Sequence, residues 1–331
     1  MKIVIDSAIP YVDAAVESAA EIIRLPGADI SARDVRDADA LIVRTRTRCD
    51  RQLLDGSRVR IVATATVGFD HIDTAWCRSR GIEFATAAGC NARAVLQWVA
   101  AALVRLSQVQ GWQPGERTLG VVGVGHIGSL VSEYARSWGF RVLCCDPPRE
   151  AAGEEGFVSM EQIAAEADII TFHVPLDPTT FHLADGNLLA SLAKHCTIIN
   201  SSRGEVVDGT ALLASGLPYA LDVWEGEPQL NRTLLEHALI ATPHIAGYSA
   251  QGKANATVMA VRAVAAGLGL PLTDWYPRGV EPQSPRPIGW DELCRTIGGY
   301  FDIAAESACL KSHPTDFEPL RDTYKYRREY F

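Results

Sequence analysis

The chain has 331 residues, of which 47% are hydrophobic and 21% are charged, with 31 Lys and Arg against 40 Asp and Glu. This length suggests about two domains, and the composition is that of a globular protein rather than a disordered or fibrous one. The net charge of −9 disfavours non-specific nucleic-acid binding, which requires a basic surface. No apolar run approaches the roughly 18 residues that a membrane span requires.

Nothing in the sequence indicates secretion or disulfide bonds. The eight cysteines form no CxxC motif and have no regular spacing. The N-terminal segment reaches the acid Asp6 too early for a signal peptide, and it is interpreted as a buried first strand. We therefore expect a soluble, reduced, cytoplasmic protein.

Short apolar runs alternate with amphipathic stretches as far as residue 247, which is the pattern of an α/β protein. In the first series, strands are predicted at Lys2–Asp6, Ala40–Arg44, Arg60–Thr64 and Gly81–Phe84. Helices are predicted from Pro10, near Asp50, near Asp70 and over Asn91–Gln110. In the second series, strands are predicted at Thr118–Val122, Arg141–Cys145, Asp168–Phe172, Thr197–Asn200, Pro218–Val223 and Leu239–Ala241, followed by a helix over Ser249–Ala266.

A glycine-rich loop, Gly123-Val124-Gly125-His126-Ile127-Gly128, separates a predicted strand from a predicted helix. Glycines in this pattern allow a tight turn, close approach of the backbone to a pyrophosphate, and close packing of the helix on the strand. The helix N-terminus then offers N–H groups to the phosphates, with His126 contributing its backbone. We predict a dinucleotide site here.

An acid at the end of the next strand indicates which dinucleotide is bound. Asp146 lies 18 residues beyond Gly128. A carboxylate at this place accepts hydrogen bonds from the ribose hydroxyls and repels a 2′-phosphate, which favours NAD over NADP. Arg149 slightly weakens that preference.

Three polar segments follow the later strands. Arg203 follows the strand ending at Asn200, and a guanidinium fork there is suited to a substrate carboxylate. Acids follow the next strand, at 222, 225 and 227, and His244 follows the last one. A histidine paired with a carboxylate is a suitable general base for hydride transfer. Each residue alone is more often structural, but three on consecutive strand ends beside a nucleotide site favour an enzyme.

These segments resemble the D-isomer-specific 2-hydroxyacid dehydrogenase family. The matching motifs are the Gly123–Gly128 loop with Asp146, Asn200–Asp208, Asp222–Pro228 and Pro243–Gly247. The resemblance implies a catalytic set of Arg203, Glu227 and His244, in which Glu227 is chosen over Glu225 because it directly precedes a proline. It also implies contacts to the NAD cofactor from the glycine loop (Gly123, Gly125, His126, Ile127 and Gly128) and from Asp146, Thr171, Ser201, Ser202, Asp222 and Gly247, with Asp222 at the nicotinamide end.

Within the family the match is best to a member of pyridoxal phosphate biosynthesis that oxidises a phosphorylated four-carbon sugar acid. Matching segments include Val43–Thr45, Ala63–His71, Ala88–Ala92, Cys145–Arg149 and His244–Tyr248. Such a substrate needs hydroxyl partners, and Thr45, Thr66 and Tyr248 are assigned to them. Arg203 and backbone N–H groups near Thr66 are assigned to its carboxylate.

The phosphate of such a substrate needs a cationic pocket, and the sequence offers two sources. Arg44 and Arg46 lie on one face if their segment is extended, although a solvated edge strand would explain both arginines equally well. Lys and Arg residues of the C-terminal tail are the alternative, from the same subunit or a partner.

The predicted fold comprises two Rossmann-like or flavodoxin-like domains, each a doubly wound parallel sheet, and a small C-terminal domain. Residues 1–92 with 248–268 are assigned to the substrate domain, 93–247 to the NAD domain and 269–331 to a dimerisation domain. We expect a homodimer without a metal. Two alternatives remain open: a dehydrogenase of another 2-hydroxy acid such as 3-phosphoglycerate, and an NAD-responsive binding scaffold.

Overall fold

The computed structural model describes all 331 residues and divides them into two compact units. The first unit contains residues 1–91 and 249–283, and the second contains residues 92–248 and 284–331. Residues 269–331, which the sequence analysis groups as one domain, are therefore shared between the two units. A role for them in dimerisation stays a prediction.

Each unit is built on one parallel sheet. The first unit has five strands: β1 (Lys2–Asp6), β2 (Glu21–Leu25), β3 (Ala40–Val43), β4 (Ile61–Thr64) and β5 (Glu83–Thr86). The second has six: β6 (Thr118–Val122), β7 (Arg141–Cys145), β8 (Ile169–Phe172), β9 (Thr197–Asn200), β10 (Tyr219–Leu221) and β11 (Ile240–Ala241). The strand orders are β2-β1-β3-β4-β5 and β11-β10-β9-β8-β6-β7.

Fifteen α-helices connect and cover the strands. They are α1 (Ala14–Ala19), α2 (Ala32–Val35), α3 (Arg51–Leu54), α4 (Thr74–Ser79), α5 (Ala92–Gln110), α6 (His126–Trp138), α7 (Pro147–Ala151), α8 (Met160–Glu166), α9 (Gly186–Ser191), α10 (Gly209–Ser215), α11 (Arg232–His237), α12 (Ala250–Leu268), α13 (Trp290–Tyr300), α14 (Ile303–Ser312) and α15 (Phe317–Asp322). Two short 3₁₀ helices lie at Pro114–Glu116 and Gly204–Val206. None of the helices has the length and apolar character needed to cross a membrane.

The predicted strands and the doubly wound α/β class are confirmed, with strand ends displaced by at most two residues. One strand was missed: β2, which pairs only with β1 at the sheet edge. The predicted helix at Pro10 begins instead at Ala14, because the carboxylate of Asp13 accepts a hydrogen bond from the N–H of Ala15 at 3.0 Å and caps the helix there.

In the first unit, both faces of the sheet are covered at its centre, which explains why the central strands β3 and β4 are fully buried and almost entirely apolar. Helix α12 covers one face, where Val261 and Val264 join a core with Ile5 and Ile42. The long helical period predicted for 249–266 therefore belongs to the core of this unit, although it is far along the chain from β1.

In the second unit, α5 and α6 cover one face of the sheet and α8 to α11 contribute to the core on the other. Helix α13 packs on the side of the sheet covered by α5 and α6. Its Trp290 ring lies 5.9 Å from the ring of Trp138 and 5.8 Å from that of Phe140. This packing is why residues 284–331 belong to the second unit.

The direction of chain winding reverses beside β6, which has β7 on one side and β8 on the other. In open parallel sheets, ligands bind outside the carboxyl ends of the strands at such a reversal. The loops after β6, β7, β9, β10 and β11 carry most of the predicted cofactor and catalytic residues, and Thr171 lies near the end of β8, so the sheet gathers them along one edge.

Candidate active site

The loop between β6 and α6 requires glycine for steric reasons at two positions. Gly123 has a φ of +85°, and a Cβ there would lie 2.8 Å from the carbonyl oxygen of His173. A Cβ on Gly128 would lie 1.9 Å from the carbonyl oxygen of Gly123. Gly125 differs, since a Cβ there would meet no protein atom within 4 Å. Its open side is where a pyrophosphate would approach the backbone.

Asp146 ties this loop to the end of β7. Its carboxylate accepts hydrogen bonds from the N–H of Val124 at 2.7 Å and from the N–H of Arg149 at 3.2 Å. The Arg149 side chain is paired with Glu154 and donates to the carbonyl of Val124. Asp146 retains free acceptor positions on its carboxylate for the ribose hydroxyls.

The remaining predicted cofactor residues lie in different settings. His126 and Ile127 form the first turn of α6, with His126 exposed. Thr171 is fully buried, with its hydroxyl 3.0 Å from Nε2 of His173. Ser201 follows β9 and its buried hydroxyl has no partner in the protein. An orphaned hydroxyl at the carboxyl end of this sheet fits a bound cofactor, since buried polar groups rarely lack a partner.

Asn200 organises the loop that carries Arg203. Its side-chain oxygen accepts from the N–H of Ser202 at 3.0 Å and from the Ser202 hydroxyl at 2.8 Å, and its amide donates to the carbonyl of Arg203 at 2.8 Å. Gly204 lies directly on the loop after β10, where a Cβ would be 2.1 Å from the carbonyl carbon of Trp224. The close approach of the Gly204 backbone to Trp224 holds Arg203 in place relative to the acidic segment at residues 222–227.

Asp222 is buried, with 1% of its surface exposed, and it holds the histidine loop. Its carboxylate accepts from the hydroxyl of Thr242 at 2.6 Å and from the N–H groups of Ile245 and Ala246, both at 2.8 Å. Its carbonyl accepts from the N–H of His244 at 2.7 Å. The predicted contact between Asp222 and the nicotinamide end stays a prediction.

His244 and Glu227 form a pair, with Nδ1 of the imidazole 2.5 Å from Oε1 of the carboxylate. His244 adopts a φ of +56°, a conformation that non-glycine residues rarely take and that often occurs at functional sites. Burial raises the pKa of Glu227, but the hydrogen bond and charge of His244, the N–H of Trp224 and the charge of Arg321 lower it more. The pKa of Glu227 therefore lies below its ordinary value, and the carboxylate is ionised at neutral pH.

The neighbouring acid, Glu225, is engaged elsewhere. One of its oxygens lies 2.8 Å from Nε2 of His182, and the other accepts from the N–H of Gly209 at 3.3 Å. Of the two acids considered from the sequence, the one that contacts His244 is therefore Glu227.

Gly247 and Tyr248 end the histidine loop, and the C-terminal tail packs against it. The Tyr248 hydroxyl accepts from Nε of Arg321 at 3.1 Å, and its ring lies 6.2 Å from that of Tyr324. The buried guanidinium of Arg327 donates to the carbonyls of Ile245 at 2.9 Å, of Ala246 at 2.5 Å and of Tyr248 at 3.0 Å.

The predicted substrate residues of the first unit follow β3 and β4. Thr45 is exposed, and Thr66 donates to the carbonyl of Gly68 at 2.8 Å. The expectation that Arg44 and Arg46 lie on one face of an extended segment is wrong. The N–H of Thr47 donates to the carbonyl of Arg44 at 3.1 Å, so residues 44–47 form a turn.

Sequence reasoning missed two kinds of supporting residue. Thr242 receives a hydrogen bond from Nε1 of Trp98 at 2.9 Å and donates to Asp222, which links α5 to the histidine loop. Thr242 lies two residues before His244 in the sequence, and this proximity could have identified it. No sequence pattern indicates the contacts of Arg321 and Arg327, since each contact joins segments more than 70 residues apart.

Comparisons with known proteins agree with this geometry. Residues 85–246 match the family model of the D-isomer specific 2-hydroxyacid dehydrogenase NAD binding domain. The chain is 48% identical to an erythronate-4-phosphate dehydrogenase of Bacteroides thetaiotaomicron over 340 residues, covering 99% of this chain and 97% of the relative. It is 40% identical to an erythronate-4-phosphate dehydrogenase of Escherichia coli O157:H7, covering 100% of this chain and 92% of the relative.

Solved structures share the fold. The TT0316 protein of Thermus thermophilus matches with a TM-score of 0.67 and 28% identity, covering 84% of this chain and 99% of that one. D-lactate dehydrogenase of Aquifex aeolicus, complexed with NAD and lactic acid, matches with a TM-score of 0.67 and 25% identity, covering 81% and 95%. The chain belongs to the D-isomer-specific 2-hydroxyacid dehydrogenases, NAD-dependent oxidoreductases, and within them to the group of the erythronate-4-phosphate dehydrogenases.

Proposed function

We propose that this protein oxidises 4-phospho-D-erythronate at C2 to (R)-3-hydroxy-2-oxo-4-phosphooxybutanoate with NAD, in the biosynthesis of pyridoxal phosphate. The observation that carries the chemistry is the contact between His244 and an ionised Glu227 at the carboxyl end of the sheet. The substrate assignment is supported by relatives that share 40–48% identity along nearly the whole chain.

His244 is assigned as the general base. Because Nδ1 faces Glu227, Nε2 is the ring nitrogen left to take the proton of the C2 hydroxyl. The negative charge of Glu227 stabilises the imidazolium that forms and keeps the ring in one orientation. The glycine loop and Asp146 would hold NAD, which would supply the hydride acceptor for C2.

Arg203 is assigned to the substrate carboxylate. One of its terminal amino groups donates to the carbonyl of Ser202 at 2.7 Å, and its remaining N–H groups donate to no protein atom. A guanidinium with free donors binds a carboxylate through two parallel hydrogen bonds, which fixes the position of C2. The hydroxyls of Thr45, Thr66 and Tyr248 are assigned to the hydroxyl groups of the substrate.

The test follows NADH absorbance in a single turnover, with 4-phosphoerythronate and 3-phosphoglycerate supplied separately. We expect reduction of NAD with phosphoerythronate alone, and its loss in His244→Ala. Reduction with phosphoglycerate instead would retain the mechanism and overturn the substrate. Reduction with neither would contradict the proposed activity and favour the binding scaffold.

We also propose that the protein is a homodimer, as the family resemblance implies. Sedimentation equilibrium across a range of protein concentrations tests this directly. A mass of twice 35.8 kDa is expected, and a single species of 35.8 kDa would overturn the proposal.

A further inference from the structure

Arg321, on α15 in the C-terminal tail, is a partly buried arginine with unused hydrogen-bond donors. Its Nε donates to the Tyr248 hydroxyl at 3.1 Å, and its two terminal amino groups donate to no protein atom. By contrast, both terminal amino groups of Arg327 donate to backbone carbonyls, and Arg149 is paired with Glu154. A partly buried guanidinium with free donors is a site for an anion.

The surroundings of Arg321 place this cation beside the reacting centre. Its hydrogen-bond partner Tyr248 lies four residues after His244, at the end of the same loop. Its charge also acts on the carboxylates of Glu227 and Asp222, although neither forms an ion pair with it. The guanidinium thus retains its donors while lying within electrostatic reach of the His244–Glu227 pair.

We propose that Arg321 is a specificity-determining residue that binds the phosphate of the substrate. This inference rests on the proposed function, since it assigns the second anionic group of the same molecule. Arg203 takes the carboxylate at C1, His244 acts at C2, and the phosphate is carried on C4. An arginine at the far end of the histidine loop supplies the cation that this second anion needs. Tyr248 orients it by holding Nε, which leaves the terminal amino groups for the phosphate oxygens.

Arg44 and Arg46 of the first unit, the other candidates for binding the phosphate, have less structural support. The turn at residues 44–47 removes the reason for placing Arg44 and Arg46 on one face. One terminal amino group of Arg44 donates to the carbonyl of Ala8 at 3.1 Å. That guanidinium already has a protein partner, whereas the terminal amino groups of Arg321 have none.

The experiment compares 4-phosphoerythronate with erythronate, which lacks only the phosphate. In Arg321→Ala, kcat/KM for phosphoerythronate is expected to fall roughly 10- to 100-fold, while kcat/KM for erythronate changes by less than about threefold. Arg321→Lys should restore part of the preference, because it keeps the charge and loses the planar fork. Circular dichroism and the thermal midpoint establish that each variant is folded.

Lys325→Ala is the matched control, since it removes an exposed cation from the same tail. It should leave the ratio of the two kcat/KM values unchanged. An equal loss for both substrates in Arg321→Ala would indicate a structural role and overturn the proposal. So would an unchanged ratio, or the same change in Lys325→Ala.

Calorimetry separates failure of this inference from failure of the proposed function. Binding of phosphoerythronate and of erythronate is measured for the wild type and for Arg321→Ala, which needs no turnover. If the wild type oxidises neither compound, the proposed function fails. A selective loss of phosphoerythronate affinity in the variant would still support the phosphate site, and an equal affinity in both proteins would overturn it.

Discussion

Nδ1 of His244 lies 2.5 Å from Oε1 of Glu227, and the two side chains come from the loops after the neighbouring strands β10 and β11. The contact depends on the buried Asp222, which holds the histidine loop through three accepted hydrogen bonds. The catalytic pair is therefore a product of strand adjacency, because neighbouring parallel strands end at the same edge.

Removing the negative charge of Glu227 tests whether the His244–Glu227 pair determines the rate. Glu227→Gln keeps the shape of the side chain but removes the negative charge that stabilises the imidazolium. We expect kcat to fall on the order of 100-fold with KM changed little, because the lost interaction forms mainly in the transition state. Steady-state NADH production measures both constants.

Glu225→Gln is the control for this substitution. It removes an equal charge from the same loop, but its carboxylate contacts His182 rather than His244. Its kcat should stay within about threefold of the wild type. Equal losses in the two variants would mean that loop structure, not the histidine contact, determines the rate.

Two glycines of the cofactor loop should respond differently to alanine. A Cβ on Gly128 meets the carbonyl oxygen of Gly123 at 1.9 Å, so Gly128→Ala must displace backbone and is expected to destabilise the fold. At Gly125 a Cβ meets no protein atom within 4 Å, so Gly125→Ala should fold normally and bind NAD roughly 10-fold or more weakly.

Urea unfolding and NAD titration by fluorescence measure the two effects separately. Gly115→Ala is a suitable control, since a Cβ there also meets no atom within 4 Å and the residue lies outside the loop. Unchanged NAD affinity in Gly125→Ala would exclude close approach of the pyrophosphate at this glycine.

Local patterns in the sequence predict the parts of the molecule that depend on nearby residues. The Gly123–Gly128 loop and the acidic segment at 222–227 both follow apolar strands. They lie at one edge of the sheet because the crossovers between parallel strands bring all the carboxyl ends of the strands to that edge. The edge strand β2 was missed because the exposed charged residues Glu21 and Arg24 interrupt its apolar residues. The turn at residues 44–47 was missed because no glycine or proline marks it.

Long-range contacts of the tail could not be predicted in the same way. Arg327 lies 82 residues from Ile245 along the chain, and the sequence contains no periodicity that joins them. Basic residues near a C-terminus ordinarily face solvent, so the burial of this arginine is visible only in three dimensions.

Burial of His173 predicts a pH-dependent stability. Burial lowers the pKa of His173 to about 3, from 6.5 when it is exposed in the unfolded chain. Between these values the unfolded state binds more protons than the native state, so the free energy of unfolding falls as the pH is lowered. His173→Gln should flatten that slope between about pH 6.5 and about pH 4.

Urea unfolding at a series of pH values measures this slope. His237→Gln provides the comparison, because His237 is exposed and should leave the slope as it is in the wild type. A slope that is the same in His173→Gln and the wild type would mean that His173 is protonated in the native protein.

Arg327 is predicted to be a determinant of stability for the histidine loop. Its terminal amino groups donate to the carbonyl of Ala94 at 2.8 Å and to three carbonyls of residues 245–248, and its guanidinium lies 4.3 Å from the ring centroid of Phe301. Arg327→Met leaves these carbonyls without donors, so we expect the free energy of unfolding to fall by about 3–5 kcal/mol. Arg327→Lys should lose less, since an ammonium reaches some of the same acceptors. Urea unfolding measures both, and a loss below about 1 kcal/mol in Arg327→Met would show that water replaces the guanidinium without cost to the loop.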